Sequence, residues 1–97
     1  MPRVTIYSKP DCHLCDVAKE RVNRIRLGVT FDLETVDISS DASLDEQYGE
    51  RIPVVFIDDD EIFAYRVNDK VLRRKLIERG AKPTSALRAL AHRLSGR

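Results

Sequence analysis

In the first 38 residues, the spacing of the apolar side chains changes twice, from that of a strand to that of a helix and back. This limits the possible folds more than any other feature of the chain. Residues 3–7 alternate in polarity and are rich in β-branched side chains, which is typical of a strand. Residues 12–25 then carry apolar side chains at helical spacing, with Asp11 as the expected N-cap and Gly28 as the stop signal. Residues 31–38 predict a second strand. This order predicts a βαβ unit with parallel strands and a right-handed crossover.

The second half of the chain predicts a hairpin and two more helices. Residues 39–50 are polar but carry two large apolar side chains four apart, which favours a short helix. Residues 52–57 are nearly all apolar, as in a strand that is covered on both faces. An acidic turn then returns the chain into a short strand at 61–65. Residues 68–80 predict a third helix, with an Asn as its N-cap and a Gly as its stop signal.

The elements follow the order β-α-β-α-β-β-α, which predicts an α/β protein of the α+β sandwich type with a mixed four-stranded sheet. A further helix is predicted from Pro83 to Leu94, because three Leu side chains share one helical stripe there. A chain of 97 residues can bury a core without disulfide bonds. We therefore expect residues 1–97 to form a single domain, with residues 81–97 as a C-terminal helical extension.

The charges are segregated along the chain, although the net charge is only +1. Residues 31–62 contain eleven acidic side chains and one basic side chain, and residues 63–97 contain ten basic and two acidic. We interpret these segments as complementary faces of one fold. Aromatic side chains are not interleaved with the basic ones, so we expect no nucleic acid partner.

The distribution of apolar residues argues against a membrane-spanning protein and against a secreted one. The longest apolar run, over residues 54–57, is far shorter than the roughly 20 residues that a membrane span needs. No basic and apolar leader precedes the first predicted strand, so no signal peptide is expected. We therefore expect a cytoplasmic protein that does not bind a membrane.

Both cysteines lie in one motif, Cys12-His13-Leu14-Cys15, at the start of the first predicted helix. Residues three apart in the first helical turn are neighbours, so the two sulfur atoms can meet. The N–H groups and the partial positive charge of a helix N-terminus favour a thiolate at Cys12, and Lys9 and a protonated His13 add to this. The carboxylates of Asp11 and Asp16 act in the opposite direction. We predict that Cys12 is the nucleophile of a redox-active dithiol and that Cys15, one turn deeper, resolves a mixed disulfide.

A C-x-x-C motif can also serve as a metal site or as a structural disulfide. A zinc site needs four ligands, and only His13 and His92 remain as further His or Cys ligands, so a complete site within one chain is not expected. A structural disulfide is typical of secreted proteins. The alternative that stays open is a non-catalytic module of the same fold that binds a metal ion or an iron–sulfur cluster between two chains.

Two segments resemble a known family. The sequence from Tyr7 to Cys15 resembles the active-site segment of glutaredoxins, which have the thioredoxin-like fold, and the sequence from Ile52 to Ile57 resembles their second signature. The stretch from Asp37 to Pro53, with Tyr48-Gly49-Glu50-Arg51 before the Ile-Pro pair, is similar to an uncharacterised bacterial family of glutaredoxin-like proteins. The resemblance covers residues 3–79.

The resemblance implies roles for individual residues. Cys12 matches the nucleophilic cysteine and Cys15 the resolving one. Lys9 matches a lysine that pairs with a carboxylate of glutathione. Pro53 matches a cis-proline, and Ile52 the residue whose backbone hydrogen-bonds the bound thiol partner. The substrate- or glutathione-binding residues predicted in this way are Lys9, His13, Ile52 and Pro53.

One segment departs from the glutaredoxin pattern. Glutaredoxins have a Gly-Gly pair followed by acidic residues after the hairpin, whereas the matching positions here are Phe63-Ala64-Tyr65-Arg66. Phe63 hinders a close approach of a ligand to the backbone, and Arg66 reverses the local charge. These two residues therefore disfavour glutathione binding in the usual glutaredoxin mode. From the C-x-x-C motif and the resemblance, we expect a thiol–disulfide oxidoreductase that acts on a protein or small-molecule disulfide or thiol and holds no bound cofactor. Glutathione, as reductant or substrate, and a thioredoxin-type reductase are the candidate redox partners.

Overall fold

A computed structural model describes residues 1–84 of the chain. The elements in chain order are β1 (Arg3–Ser8), α1 (His13–Ile25), β2 (Asp32–Asp37), a 3-10 helix (Ile38–Ser40), α2 (Ala42–Tyr48), β3 (Val54–Ile57), β4 (Asp60–Ala64) and α3 (Asp69–Glu78). This sequence of elements confirms the predicted order of strands and helices.

The four strands form one mixed sheet in the order β2-β1-β3-β4. β1 and β2 are parallel, as the predicted βαβ unit requires. β3 is antiparallel to β1, and β4 is antiparallel to β3, so the predicted hairpin is also present. The architecture is that of a thioredoxin-like α/β fold, with β1 and β3 as the central strands.

The main hydrophobic core lies on one face of the sheet, beneath α1 and α3. Alternate residues of a strand share a face, and the helices contribute residues at helical spacing. The fully buried side chains of this core include Val4, Ile6, Val22, Val55, Ile57, Leu72 and Leu76. Each such side chain stabilises the fold by about 1.5–3 kcal/mol relative to its exposed state. This packing fixes α1 firmly against the sheet.

An aromatic cluster covers part of the opposite face. The ring of Tyr7 lies 5.0 Å from that of Tyr48 in α2 and 5.2 Å from that of Phe56 in β3, measured between centroids. Tilted rings at such distances attract one another. Burial raises the pKa of Tyr7 above its ordinary value of 10.0, with a smaller contribution from Tyr48. Tyr7 therefore acts as a packing residue that joins α2 to the sheet.

The chain after α3 returns to the end of α1. Ala81 is buried in the main core, and Pro83 forms an isolated β-bridge with Val29. The helix predicted from Pro83 to Leu94 therefore does not begin at Pro83, and its remaining positions, with most of the predicted extension over 81–97, lie outside the described residues. None of the helices in residues 1–84 has the length and apolar character needed to cross a membrane.

Candidate active site

Three loops meet at one end of the sheet. β1 ends there and the antiparallel β3 begins there, because Tyr7 pairs with Val54. β4 ends at the same place, since Ala64 also pairs with Val54. The C-x-x-C motif after β1, the Ile-Pro pair before β3 and the segment that follows β4 therefore share this edge, although they are distant in the sequence.

The N-cap residue of α1 is Cys12, and the prediction that Asp11 caps this helix is wrong. The Cys12 Sγ atom accepts a hydrogen bond from the backbone N–H of Cys15 at 3.2 Å. Asp11 precedes the cap in the left-handed region, with φ of 57°, a conformation that Asp adopts more readily than most residues. A sulfur atom at the N-cap faces unpaired N–H groups and the positive end of the helix, which favours negative charge on the sulfur.

The two cysteines differ in their access to solvent. Cys15 is fully buried, whereas Cys12 is half-buried. Their Sγ atoms lie at disulfide distance, and their Cα atoms are 5.2 Å apart, which is within the ordinary range for a disulfide. His13 and Leu14, between them, are exposed. An external thiol or disulfide can therefore approach Cys12 but not Cys15.

Lys9 lies in the loop that leads to the motif, and its ammonium group forms an ion pair with the carboxylate of Asp45 in α2. The two side chains are 30% and 44% exposed, respectively. The prediction that Lys9 binds a substrate carboxylate stays a prediction. Asp45 was not identified as a site residue, because no sequence pattern relates two charged residues so far apart.

The Ile52–Pro53 peptide bond is cis, as the family resemblance implied. Pro53 is fully buried, and its carbonyl accepts a hydrogen bond of 2.9 Å from the backbone N–H of Tyr65. Within residues 1–84, the backbone N–H and C=O of Ile52 form no hydrogen bond with the rest of the protein. These two groups are thus available to pair with an added extended chain.

Arg51, which precedes the Ile-Pro pair, contacts residues of two neighbouring elements. Its guanidinium group donates a hydrogen bond of 2.6 Å to the Glu61 carboxylate in β4 and lies 5.3 Å from the centre of the Tyr48 ring. The hydrogen bond to Glu61 raises the pKa of Arg51 above its ordinary value. The loop is thereby tied to both α2 and β4.

Tyr65 is a residue of this edge whose position sequence reasoning missed. Its φ is 69°, which is uncommon for any residue other than Gly. Its backbone N–H donates to the carbonyl groups of Pro53 and Arg51, at 2.9 and 3.3 Å. Nothing in the residue type signals this conformation, because an aromatic side chain does not favour the left-handed region.

The motif contains three residues of types that ligate metal ions, the two cysteines and His13. Among residues 1–84, no three His, Cys, Asp or Glu side chains are grouped closely enough to hold such an ion together. The other histidine, His92, lies outside the described residues. Cys12 and Cys15 would therefore need further ligands from outside residues 1–84 or from a second chain to hold a metal ion or cluster.

Comparisons with known proteins agree with this geometry. The sequence profile of the glutaredoxin-like domain family DUF836 matches residues 3–77. Uncharacterised proteins of Mycobacterium bovis and Mycobacterium tuberculosis are 29% identical to the chain over 77 residues, which is 74% of this chain and 79% of each relative.

Two solved structures are also similar. The crystal structure of protein XcR50 from X. campestris has a TM-score of 0.65 and 34% identity, and the match covers 77% of this chain and 96% of that one. The solution structure of protein Ne2328 from Nitrosomonas europaea has a TM-score of 0.67 and 25% identity, with 76% and 89% of the two chains covered. Because the family profile matches residues 3–77, more than half of the chain, and these structures share its fold, the chain belongs to the glutaredoxin-like DUF836 family.

Proposed function

We propose that this protein is a thiol–disulfide oxidoreductase with Cys12 as its nucleophile. The observation that carries the proposal is the position of the Cys12 Sγ atom, which caps α1 and accepts the N–H of Cys15 at 3.2 Å. A thiolate is the reactive form of cysteine, and a helix N-terminus stabilises it. Cys12 is also the cysteine that solvent reaches, whereas Cys15 is fully buried.

The reaction begins with the reduced protein. The Cys12 thiolate attacks one sulfur of a substrate disulfide, so a Cys12–substrate bond forms, the substrate S–S bond breaks and the leaving thiolate takes a proton from solvent. Cys15 then attacks the Cys12 sulfur, the Cys12–substrate bond breaks, and the proton of the Cys15 thiol passes through solvent to the second substrate thiolate as it leaves. Two electrons have passed to the substrate, and the Cys12–Cys15 disulfide is the product.

The Ile52–Pro53 loop is proposed to hold the substrate chain during the first step. The free N–H and C=O groups of Ile52 lie at the same edge of the sheet as the cysteine motif. An extended substrate segment can pair with them, as in the addition of a strand to a sheet. His13 and Lys9 are proposed as polar contacts on the motif side of the same substrate.

The oxidised protein must be reduced again, and we propose glutathione or a thioredoxin-type reductase as the source of the two electrons. A cytoplasmic setting fits this proposal, because such reductants keep cytoplasmic thiols reduced. Both cysteines of the sequence lie in the motif, so the fold contains no second cysteine pair that would need an oxidising compartment.

A redox titration tests the proposal directly. The pure protein is equilibrated with glutathione redox buffers, and Cys12 and Cys15 are read by alkylation and mass spectrometry. We expect one two-electron transition within the range of known dithiol proteins, which extends from about −270 to about −120 mV. The Cys12→Ser variant should lose turnover, and the Cys15→Ser variant should accumulate a mixed disulfide on Cys12.

Two results would contradict this function. Full turnover in Cys12→Ser would remove the nucleophile from the mechanism. Thiols that resist alkylation until a chelator is added would instead support a binding module, with a metal ion or an iron–sulfur cluster held between two chains. Absorbance above the protein band, or zinc retained through purification, would mark that second case.

A further inference from the structure

An open groove runs from the cysteine motif along α1. It has a volume of about 730 Å³ and is bounded by α1 on one side and by residues 63 and 65–70 on the other. Its α1 wall is the stripe of Leu14, Val17, Ala18 and Arg21, and the first of these lies between the two cysteines. These positions follow helical spacing, so they form one continuous face of α1. The groove therefore begins at Leu14, a residue of the cysteine motif.

The part of the groove near the motif is apolar. Leu14 and Tyr65 are 42% and 49% exposed, which places two of the large exposed apolar side chains of residues 1–84 on this surface. Phe63 and Val17 are half-buried beside them. The backbone N–H of Tyr65 is bonded to the carbonyl of Pro53, so the aromatic side of the groove is joined to the Ile-Pro loop.

The outer part of the groove is basic. The single acidic lining residue is Asp69, and it pairs with Arg21 at 3.3 Å. Arg66 and Lys70 are exposed, and neither forms an ion pair with another group in residues 1–84. The charges that the groove leaves uncompensated are therefore both positive.

We propose that this groove binds an acidic segment of a protein substrate, beside the disulfide that Cys12 attacks. The occupant carries an apolar side chain that contacts Leu14 and Tyr65, and then carboxylates that meet Arg66 and Lys70. Charge complementarity selects this partner, because two unpaired cations in a groove attract anionic segments and repel basic ones. The proposal rests on the proposed function, since it assigns the substrate of the same cysteines.

The test uses matched peptides and one turnover of the reduced protein. Three disulfide-bridged peptides share one sequence with an aromatic residue beside the cysteine, and differ only in carrying two Glu, two Gln or two Lys farther out. The peptide disulfide is the oxidant and the Cys12–Cys15 dithiol the reductant, so the reaction needs no other redox partner. Rate constants with dithiothreitol correct for the intrinsic reactivity of each peptide.

We expect the Glu peptide to react about 2- to 30-fold faster than the Gln peptide, since two exposed ion pairs supply a difference of this order. The Lys peptide should be slower than the Gln peptide. The preference should shrink when the ionic strength rises from about 0.01 M to about 0.15 M, because the screening length falls from about 30 Å to about 8 Å.

Charge reversal localises the effect. In the Arg66→Glu/Lys70→Glu variant, the order of the three peptides should invert. The control is Arg26→Glu/Lys82→Glu, which changes the net charge equally at exposed positions outside the groove and should keep the preference for the Glu peptide. The single variants Arg66→Gln and Lys70→Gln give intermediate ratios and keep the test available if the double variant unfolds.

The outcomes separate the two proposals. Equal rates for the three peptides at both ionic strengths, with a reaction that still needs Cys12, would overturn the acidic-partner proposal and leave the oxidoreductase intact. An equal loss of preference in the control variant would also overturn it, because the effect would then belong to the net charge. No reaction with any peptide, although alkylation shows two free thiols, would refute the oxidoreductase itself.

Discussion

The ion pair between Lys9 and Asp45 leads to a prediction about small anionic substrates. If Lys9 contacts a substrate carboxylate, that carboxylate must compete with Asp45 for the same ammonium group. The Asp45→Asn variant removes the competing charge while it keeps the size of the side chain. We expect this variant to reduce glutathione disulfide, which carries carboxylates, faster than the wild-type protein does.

The size of the expected rate increase follows from the solvent exposure of the Lys9–Asp45 ion pair. The side chains of Lys9 and Asp45 are 30% and 44% exposed, so the pair belongs to the surface class, which is worth about 0.2–1 kcal/mol. Its release corresponds to an increase of about 1.4- to 5-fold in the rate constant, because about 1.4 kcal/mol is a factor of ten. Asp45 also lies in the first turn of α2, where a carboxylate stabilises the helix by about 0.3–1 kcal/mol. The same variant should therefore be slightly less stable.

The assay is a double-mutant cycle. Single-turnover rate constants with glutathione disulfide are measured for the wild-type protein, Asp45→Asn, Lys9→Gln and the double variant, and urea unfolding is measured for each. Glu46→Gln is the matched control, because Glu46 is an exposed carboxylate in the same helix without an ion pair in residues 1–84. A gain that persists in the Lys9→Gln background, or no gain in Asp45→Asn, would refute the competition between Asp45 and the substrate.

Three further predictions concern stability, each measured by urea unfolding. Leu72→Ala should cost about 2–5 kcal/mol, because Leu72 is fully buried between α3 and the sheet, and it should leave the redox potential unchanged. Arg79→Met should cost less than Leu72→Ala, since the ion pairs of Arg79 with Asp58 and Asp60 are exposed; a larger loss would contradict their surface character. Hydrogen bonds from Ser39 lower the pKa of Asp37 below 3.8, so its ionised form stabilises the protein above that pH and this contribution is lost as the pH falls further. The Asp37→Asn variant should lose less stability than the wild-type protein over that acidic range, and parallel curves would contradict this assignment.

The fold was predictable because its signals are local and agree with one another. The change of period in the first 38 residues, the apolar run of β3 and the Asn68 cap of α3 all correspond to elements that the structure contains. The N-cap of α1 was not predictable, since Cys is not a preferred capping residue and Asp11 is. Asp11 adopts the left-handed conformation, which differs from the extended backbone of an N-cap residue, and the cap falls on Cys12 instead.

The candidate site was predictable only in part, for a physical reason. The cysteine motif is a short segment, so its placement follows from the helix alone. The Lys9–Asp45 pair, the hydrogen bond from Tyr65 to Pro53 and the groove beside Leu14 join residues that only the folded sheet brings together. The cis form of the Ile-Pro bond has a prior of about 5–6% for a bond of this type, and the family resemblance, not the local sequence, raised it.

The hydrogen bond from the Cys15 N–H to the Cys12 sulfur at the N-cap has a consequence for the dynamics of α1. A thiolate at the cap accepts this hydrogen bond more strongly than a neutral sulfur does. The backbone amide of Cys15 should therefore exchange its proton with solvent more slowly in the reduced protein than in a variant trapped as a mixed disulfide on Cys12. One amide at the start of α1 would then report, in a hydrogen-exchange experiment, the charge of the sulfur atom that it faces.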